Sequence, residues 1–295
     1  MSETTGVIHD LGYRRYDGPR LGHAQIVRAL IWHSFRSAFG IGRGVKAKII
    51  PILACVAICL PAFVNAFAVA RGNERLFGYD TYVPQLRVIV VTIFIAAQAP
   101  ELVSRDLRSH VLPLYFSRPI RRTDYPLAKY LALTAALLLL IEVPLLILYA
   151  GTIASAKGGS GVWAETKALI PGLGMGFLWA VLMAAVGLVL ASLTGRRAYA
   201  TGIVAISCFL TWTVSELLIQ AEGGNTSTSA GARIGGLFSP FNILDGVRIW
   251  LGGSTSPGND ADPGHFGPLY GLMFIALLAA CLGGLAARYR KVSRA

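Results

Sequence analysis

The residues best suited to chemistry are concentrated in residues 101–129, where five arginines and a lysine surround one glutamate and two aspartates. Mixed charge of that density can dock a partner or fix orientation in a membrane. The other titratable residues are scattered. His9, His23, His33, His110 and His265 all lie outside the long apolar runs, and no HExxH occurs. Cys55, Cys59, Cys208 and Cys281 sit inside those runs without zinc or CxxC spacing, so they read as small packed residues and no metal site is expected. Glu142 and Glu216 are the two carboxylates well inside apolar runs. Burying an acid there is costly, so each either hydrogen-bonds within a helix bundle or serves a pathway. No GxxxxGK[ST] phosphate cradle is present. The nearest stretch, GIGRGVKAK at residues 40–48, lacks both the spacing and the terminal hydroxyl. Any ATP chemistry is therefore expected in another chain, not in this one.

The elements that must position these residues follow from composition. The chain has 295 residues, 54% of them hydrophobic and only 14% charged, against roughly 25% charged in soluble domains. Lipid is the expected solvent. The net charge of +12 comes from basic residues between apolar runs, the pattern of topology-setting charge; a nucleic-acid partner is not expected. Residues 1–22 are polar with no apolar core, so they read as a cytoplasmic lead-in without a cleavable signal.

Residues 23–48 read as an amphipathic interfacial helix and linker. Ile26, Val27, Leu30, Ile31, Phe35, Ala38 and Phe39 recur at helical spacing, with Arg28, Arg36 and Ser37 marking another side. A crossing needs about 20 apolar residues, and residues 49–287 offer six candidates. They are 49–70 (broken by Pro51 and Pro61), 83–102, 125–151, 168–193, 199–219 and 268–287. In the fourth, Gly172, Gly174, Gly176 and Gly187 suit close helix packing. The expected fold class is an all-α polytopic membrane protein with six spans and a tail at 288–295. Placing both ends inside puts 20 of the 27 Lys and Arg on the cytoplasmic side, which favours that topology in the cell membrane. Residues 71–82 and 152–167 then form short outer loops. The longer outer loop, 220–267, has an apolar centre containing Phe238, Phe241, Leu244 and Trp250, which either lies flat on the outer surface or caps the bundle.

Within the charged loop, residues 104–112 can form about two helical turns, enough to seat in a groove of a soluble partner. Leu107 and Val111 are i,i+4 neighbours suited to an apolar contact. Arg105, Asp106 and Arg108 would supply rim charges that select the partner. Alternatively, the arginines serve only orientation and lipid headgroups, though that leaves the interspersed Glu101, Asp106 and Asp124 without a role.

The arrangement resembles the membrane subunits of ATP-binding-cassette exporters of the type-2 permease family. An amphipathic helix before six spans, Glu101 closing the second span, Arg105, Asp106 and Arg108 on a short helix, Ser117-Arg118-Pro119, and Thr123-Asp124-Tyr125-Pro126-Leu127 with Lys129 carry the likeness. Ser109-His110-Val111 stands where members often have a glycine-threonine pair. The resemblance implies a separate ATPase subunit holding ATP and magnesium, a second permease subunit, and docking through Glu101, Arg105, Asp106, Leu107, Arg108, Ser109, His110 and Val111. It also implies that the second and fifth spans lie nearest the permease interface. Those spans present Phe94, Gln98, Phe209, Trp212 and Thr213, which with Glu142 and Glu216 suit an amphipathic or lipid-like cargo. A membrane anchor or assembly factor without its own pathway, and an intramembrane enzyme, are the alternative readings.

Overall fold

Backbone exposed to lipid must satisfy its own hydrogen bonds, and the apolar runs do so as long helices. A computed structural model describes residues 18, 22–73, 79, 84–108, 121, 123–156, 158–224, 229–252 and 262–292, with backbone alone at 84–87, 105, 107, 291 and 292. In chain order the helices are α1 (His23–Ala38), α2 (Val45–Ala70), α3 (Pro84–Arg108), α4 (Asp124–Ser155), α5 (Gly158–Ala191), α6 (Arg197–Ala221), α7 (Ala230–Gly235), α8 (Pro240–Trp250) and α9 (Gly267–Val292). No strand occurs among the described residues. Five helices, α2, α4, α5, α6 and α9, are long and apolar enough to cross a membrane, and α3 carries a shorter apolar stretch, Val88–Ser104. The chain is an all-helical, multi-pass membrane protein.

The core lies where α3, α4 and α5 meet. Phe94, Leu133, Leu137, Leu145 and Trp179 are fully buried there. Helix α4 packs against α1, α2 and α5, while α3 packs against α5 and α6. Helices α2, α6 and α9 instead turn apolar side chains outward, among them Leu53, Phe63, Ile206, Leu210 and Ile275. In lipid such faces carry no solvation penalty. Helix α1 lies against α4 and α3, burying Leu30, Ser34 and Ala38 and leaving Trp32 exposed.

Several expected boundaries shift. Helix α2 is not broken at Pro51 or Pro61; both lie inside it. Pro51 has no amide proton to give the Ala47 carbonyl four residues earlier. At that carbonyl the α1–α2 linker comes closest, since a Cβ on Gly40 would sit 2.7 Å from Ala47 O. Gly40 has φ +68°, so the position requires glycine twice over. The outer loop expected at 152–167 is nearly all helix, because α4 runs to Ser155 and α5 begins at Gly158. Tyr79 donates to Glu165 Oε2 at 3.0 Å, and Tyr149 and Thr166 hydroxyls pair at 2.8 Å, tying this extension down.

The apolar centre of the long outer loop caps and enters the bundle. Ser239 accepts the Phe241 N–H at 3.2 Å and Pro240 occupies the first turn, a well-formed helix start for α8. Phe241 and Leu244 are fully buried, and the Phe241 ring lies 5.5 Å from Trp179. The glycines of α5 divide. A Cβ at Gly176 would strike Glu142 and Ile141, and one at Gly187 would meet Ile95 and Ala99 at 3.4–3.5 Å. One at Gly172 would make only ordinary contact, and one at Gly174 would meet nothing within 4 Å. Close packing is therefore not the reason for glycine at 174.

Candidate functional site

The charged segment after the expected second span begins as a direct continuation of α3. The helix runs unbroken to Arg108, so no new contact helix starts at residue 104. Ser104 donates to the Ala191 carbonyl at 3.0 Å and is itself buried, fastening this last part of α3 to the end of α5.

Glu101 sits one turn earlier, its side chain only 2% exposed. Its Oε1 lies 2.7 Å from Arg43 Nη2 and its Oε2 lies 2.9 Å from Arg197 Nη1. One carboxylate thus joins α3 to the α1–α2 linker and to the first turn of α6. A buried carboxylate is tolerable when both oxygens take charge-assisted hydrogen bonds. Asp106 makes the second junction. Its Oδ2 is 3.0 Å from Lys129 Nζ and accepts a short hydrogen bond from the Tyr125 hydroxyl. Lys129 also lies over the Tyr125 ring at 5.3 Å, and that ring packs at 5.3 Å on Tyr289 of α9. At the head of α4, Asp124 Oδ2 meets His23 Nε2 at 2.6 Å and accepts the Arg121 N–H at 2.8 Å. Carboxylate at a helix N-terminus is favourable to the helix dipole. Arg108 ends α3 and is exposed. Arg105 and Leu107 belong to α3 by backbone; Ser109, His110 and Val111 lie outside the described residues.

Two carboxylates of α3, together with Asp124 at the head of α4, thus join α3, α4, the α1–α2 linker, α1 and α6 at one end of the bundle. Among the described residues no group of three or more His, Cys, Asp or Glu could hold a metal ion.

The residues put forward for a pathway differ in exposure. Phe94 and Gln98 of α3 are buried, Phe94 against Phe39 at 6.0 Å. On α6, Phe209 and Trp212 are half-buried and Thr213 is exposed. Glu142 is half-buried, lies against Gly176 of α5, and borders a groove of about 530 Å³ between α1 and α4 lined by Arg28, Ile31, Trp32, Phe35 and Leu138. Glu216 Oε1 accepts from Asn242 Nδ2 of α8 at 3.3 Å, and the same amide nitrogen donates to Ser215 Oγ at 2.8 Å. Ser215 Oγ in turn donates a hydrogen bond to the Gly235 carbonyl at 2.8 Å. This hydrogen-bonded chain fastens α7 and α8 to α6. Because Asn242 already supplies a donor, Glu216→Gln is expected to shift the unfolding free energy by less than about 1 kcal/mol, whereas Asn242→Leu costs about 1–2 kcal/mol. Thermal unfolding of the purified variants checks this ranking. Loss of function in Glu216→Gln at unchanged melting temperature would instead show that its charge is used.

Arg43, Arg197 and Lys129 complete the two junctions and were not among the expected docking residues. Their spacing from Glu101 and Asp106 carries no local signal, and each also reads as an ordinary orientation charge. The one legible hint was the acids themselves, which orientation alone leaves unexplained. No protein-family model matches the chain, and no curated protein matches it.

Proposed function

We propose that the chain is the permease subunit of an ATP-driven exporter, with α3 as a sixth span, α1 at the membrane interface and both termini in the cytoplasm of the cell membrane. ATP and magnesium are held by a separate ATPase subunit, and a second permease subunit completes the pathway. The cargo is amphipathic or lipid-like. The observation that carries this reading is the double fastening of α3 through Glu101 and Asp106. A load applied just beyond Arg108 is delivered to α4, α6 and the α1–α2 linker together, as coupling requires. The apolar groove bordered by Glu142 and Arg28 is consistent with a cargo having both apolar and charged parts.

The test is Leu107→Asp combined with Arg108→Glu in the chain co-expressed with the ATPases of its own genome. The double variant is expected to weaken ATPase docking by roughly 2 kcal/mol, about thirty-fold, and to reduce cargo-stimulated ATP hydrolysis accordingly. Hydrolysis unchanged in the variant would remove the segment from the coupling path. Failure of the wild-type chain to form a complex with any ATPase would remove the exporter reading, and turnover of a substrate by this chain alone would favour an intramembrane enzyme.

A further inference from the structure

A groove of about 830 Å³ opens where α3 ends and α6 begins, lined by Arg108, Arg196, Arg197, Ala198, Tyr199 and Thr201. Three arginines line it, and none of its described lining residues is acidic. Arg197 gives one nitrogen to Glu101 at 2.9 Å and remains 56% exposed; Arg196 lies over the Tyr199 ring at 5.7 Å. Each guanidinium offers five N–H donors in a fixed fork that suits a phosphate, and Thr201 adds a hydroxyl. Grouped positive charges repel one another, so an anion seated between them is favoured.

The groove also continues into an apolar track. Tyr199, Ile206, Leu210 and Leu217 are all exposed and fall on one face of α6 at helical spacing. From Tyr199 to Leu210 the helix rises about 16 Å, close to half of a hydrocarbon core about 30 Å thick. That is the reach of the acyl chains of one leaflet. The short turn between α5 and α6 puts the arginines at the end of two membrane-spanning helices, which is headgroup depth.

We propose that this groove binds an anionic phospholipid, its headgroup phosphate held by Arg108 and Arg196 with Arg197 behind them and its acyl chains along Tyr199, Ile206 and Leu210. The site uses the membrane-spanning character of α5 and α6 and does not require the coupling role.

The test uses the full chain purified in detergent, incubated separately with phosphatidylglycerol and phosphatidylcholine, and counts retained lipid by native mass spectrometry. Wild type is expected to retain phosphatidylglycerol preferentially, more weakly as salt rises. Arg108→Gln with Arg196→Gln is expected to lose roughly a hundredfold in that affinity, about tenfold for each charge-assisted contact removed, while phosphatidylcholine retention does not change. Arg196→Gln alone, an exposed change, should show a partial loss and covers the case in which the double variant folds poorly. Lys46→Gln with Lys48→Gln, basic residues outside the groove, should bind as wild type. Equal retention of both lipids, or equal loss in the Lys46 and Lys48 control, would overturn the proposal. Displacement of the lipid by inorganic phosphate at matching concentration would also overturn it, marking a free-anion site. Loss of an acidic partner protein from the double variant with lipid retention intact would reassign the groove to protein docking.

Discussion

Arg43→Ala combined with Arg197→Ala is expected to destabilise the protein by roughly 3–5 kcal/mol, the penalty for removing both of these arginines from a buried carboxylate. Each single change should cost only about 1 kcal/mol, because the remaining arginine still holds one oxygen of Glu101. Arg43 is the less exposed of the two, 24% against 56%, so its loss should be the costlier single change. Glu101→Gln should be milder than the double arginine variant. The two arginines can then turn into water, whereas Glu101, 2% exposed, has no such escape. Thermal and denaturant unfolding of all four proteins in one detergent decides the matter. Additive single effects, or Glu101→Gln as the worst of the set, would show that the three residues do not act as a unit.

The second large effect concerns the end of α4 opposite the charged junctions. Gly151→Val is expected to cost about 3 kcal/mol or more and to lower the yield of folded monomer on size-exclusion chromatography. A Cβ at Gly151 would fall 2.4 Å from Ala66 Cβ, 2.6 Å from Ala66 Cα and 2.8 Å from Ala66 O. Most of those atoms are backbone, so no rotamer change relieves the clash and α2 must separate from α4. Gly174→Ala and Gly283→Ala serve as contrasts, since a Cβ at either meets nothing within 4 Å. Both should be neutral or gain up to about 1 kcal/mol of helix propensity. Equal damage from all three would mean that glycine serves helix flexibility here and not close approach.

Membrane character and the approximate helix positions were legible because the apolar runs are long and the charges between them dense. The edges were less so. Nothing between Leu102 and Arg108 stops a helix: no glycine or proline intervenes, and Ser104 is held by the Ala191 carbonyl. The charge there was read as the end of the span, yet the helix continues through it. The same kind of error occurred at Pro51, where proline suggests a break but lies inside α2, and the Ala47 carbonyl it frees lies beside Gly40. Around Glu101 the acid itself was visible, while its partners were hidden. Arg43 and Arg197 come from distant parts of the chain and look like any other orientation charge. Gly151 escaped notice for a related reason, since the surface that excludes a side chain belongs to α2. For α8, alternating polar and apolar residues left surface and cap equally open, and burial of Phe241 against Trp179 decides for the cap.

The contact between Tyr125 and Tyr289 has a bearing on how the molecule is made. Helix α9 leaves the ribosome after α1–α8, yet its Tyr289 is buried against the ring whose hydroxyl serves Asp106. A nascent chain that has released only the earlier helices has Lys129 and Tyr125 already synthesised but lacks the Tyr289 ring that packs beside them. The aromatic wall around the Asp106 junction is therefore complete only once α9 is in place.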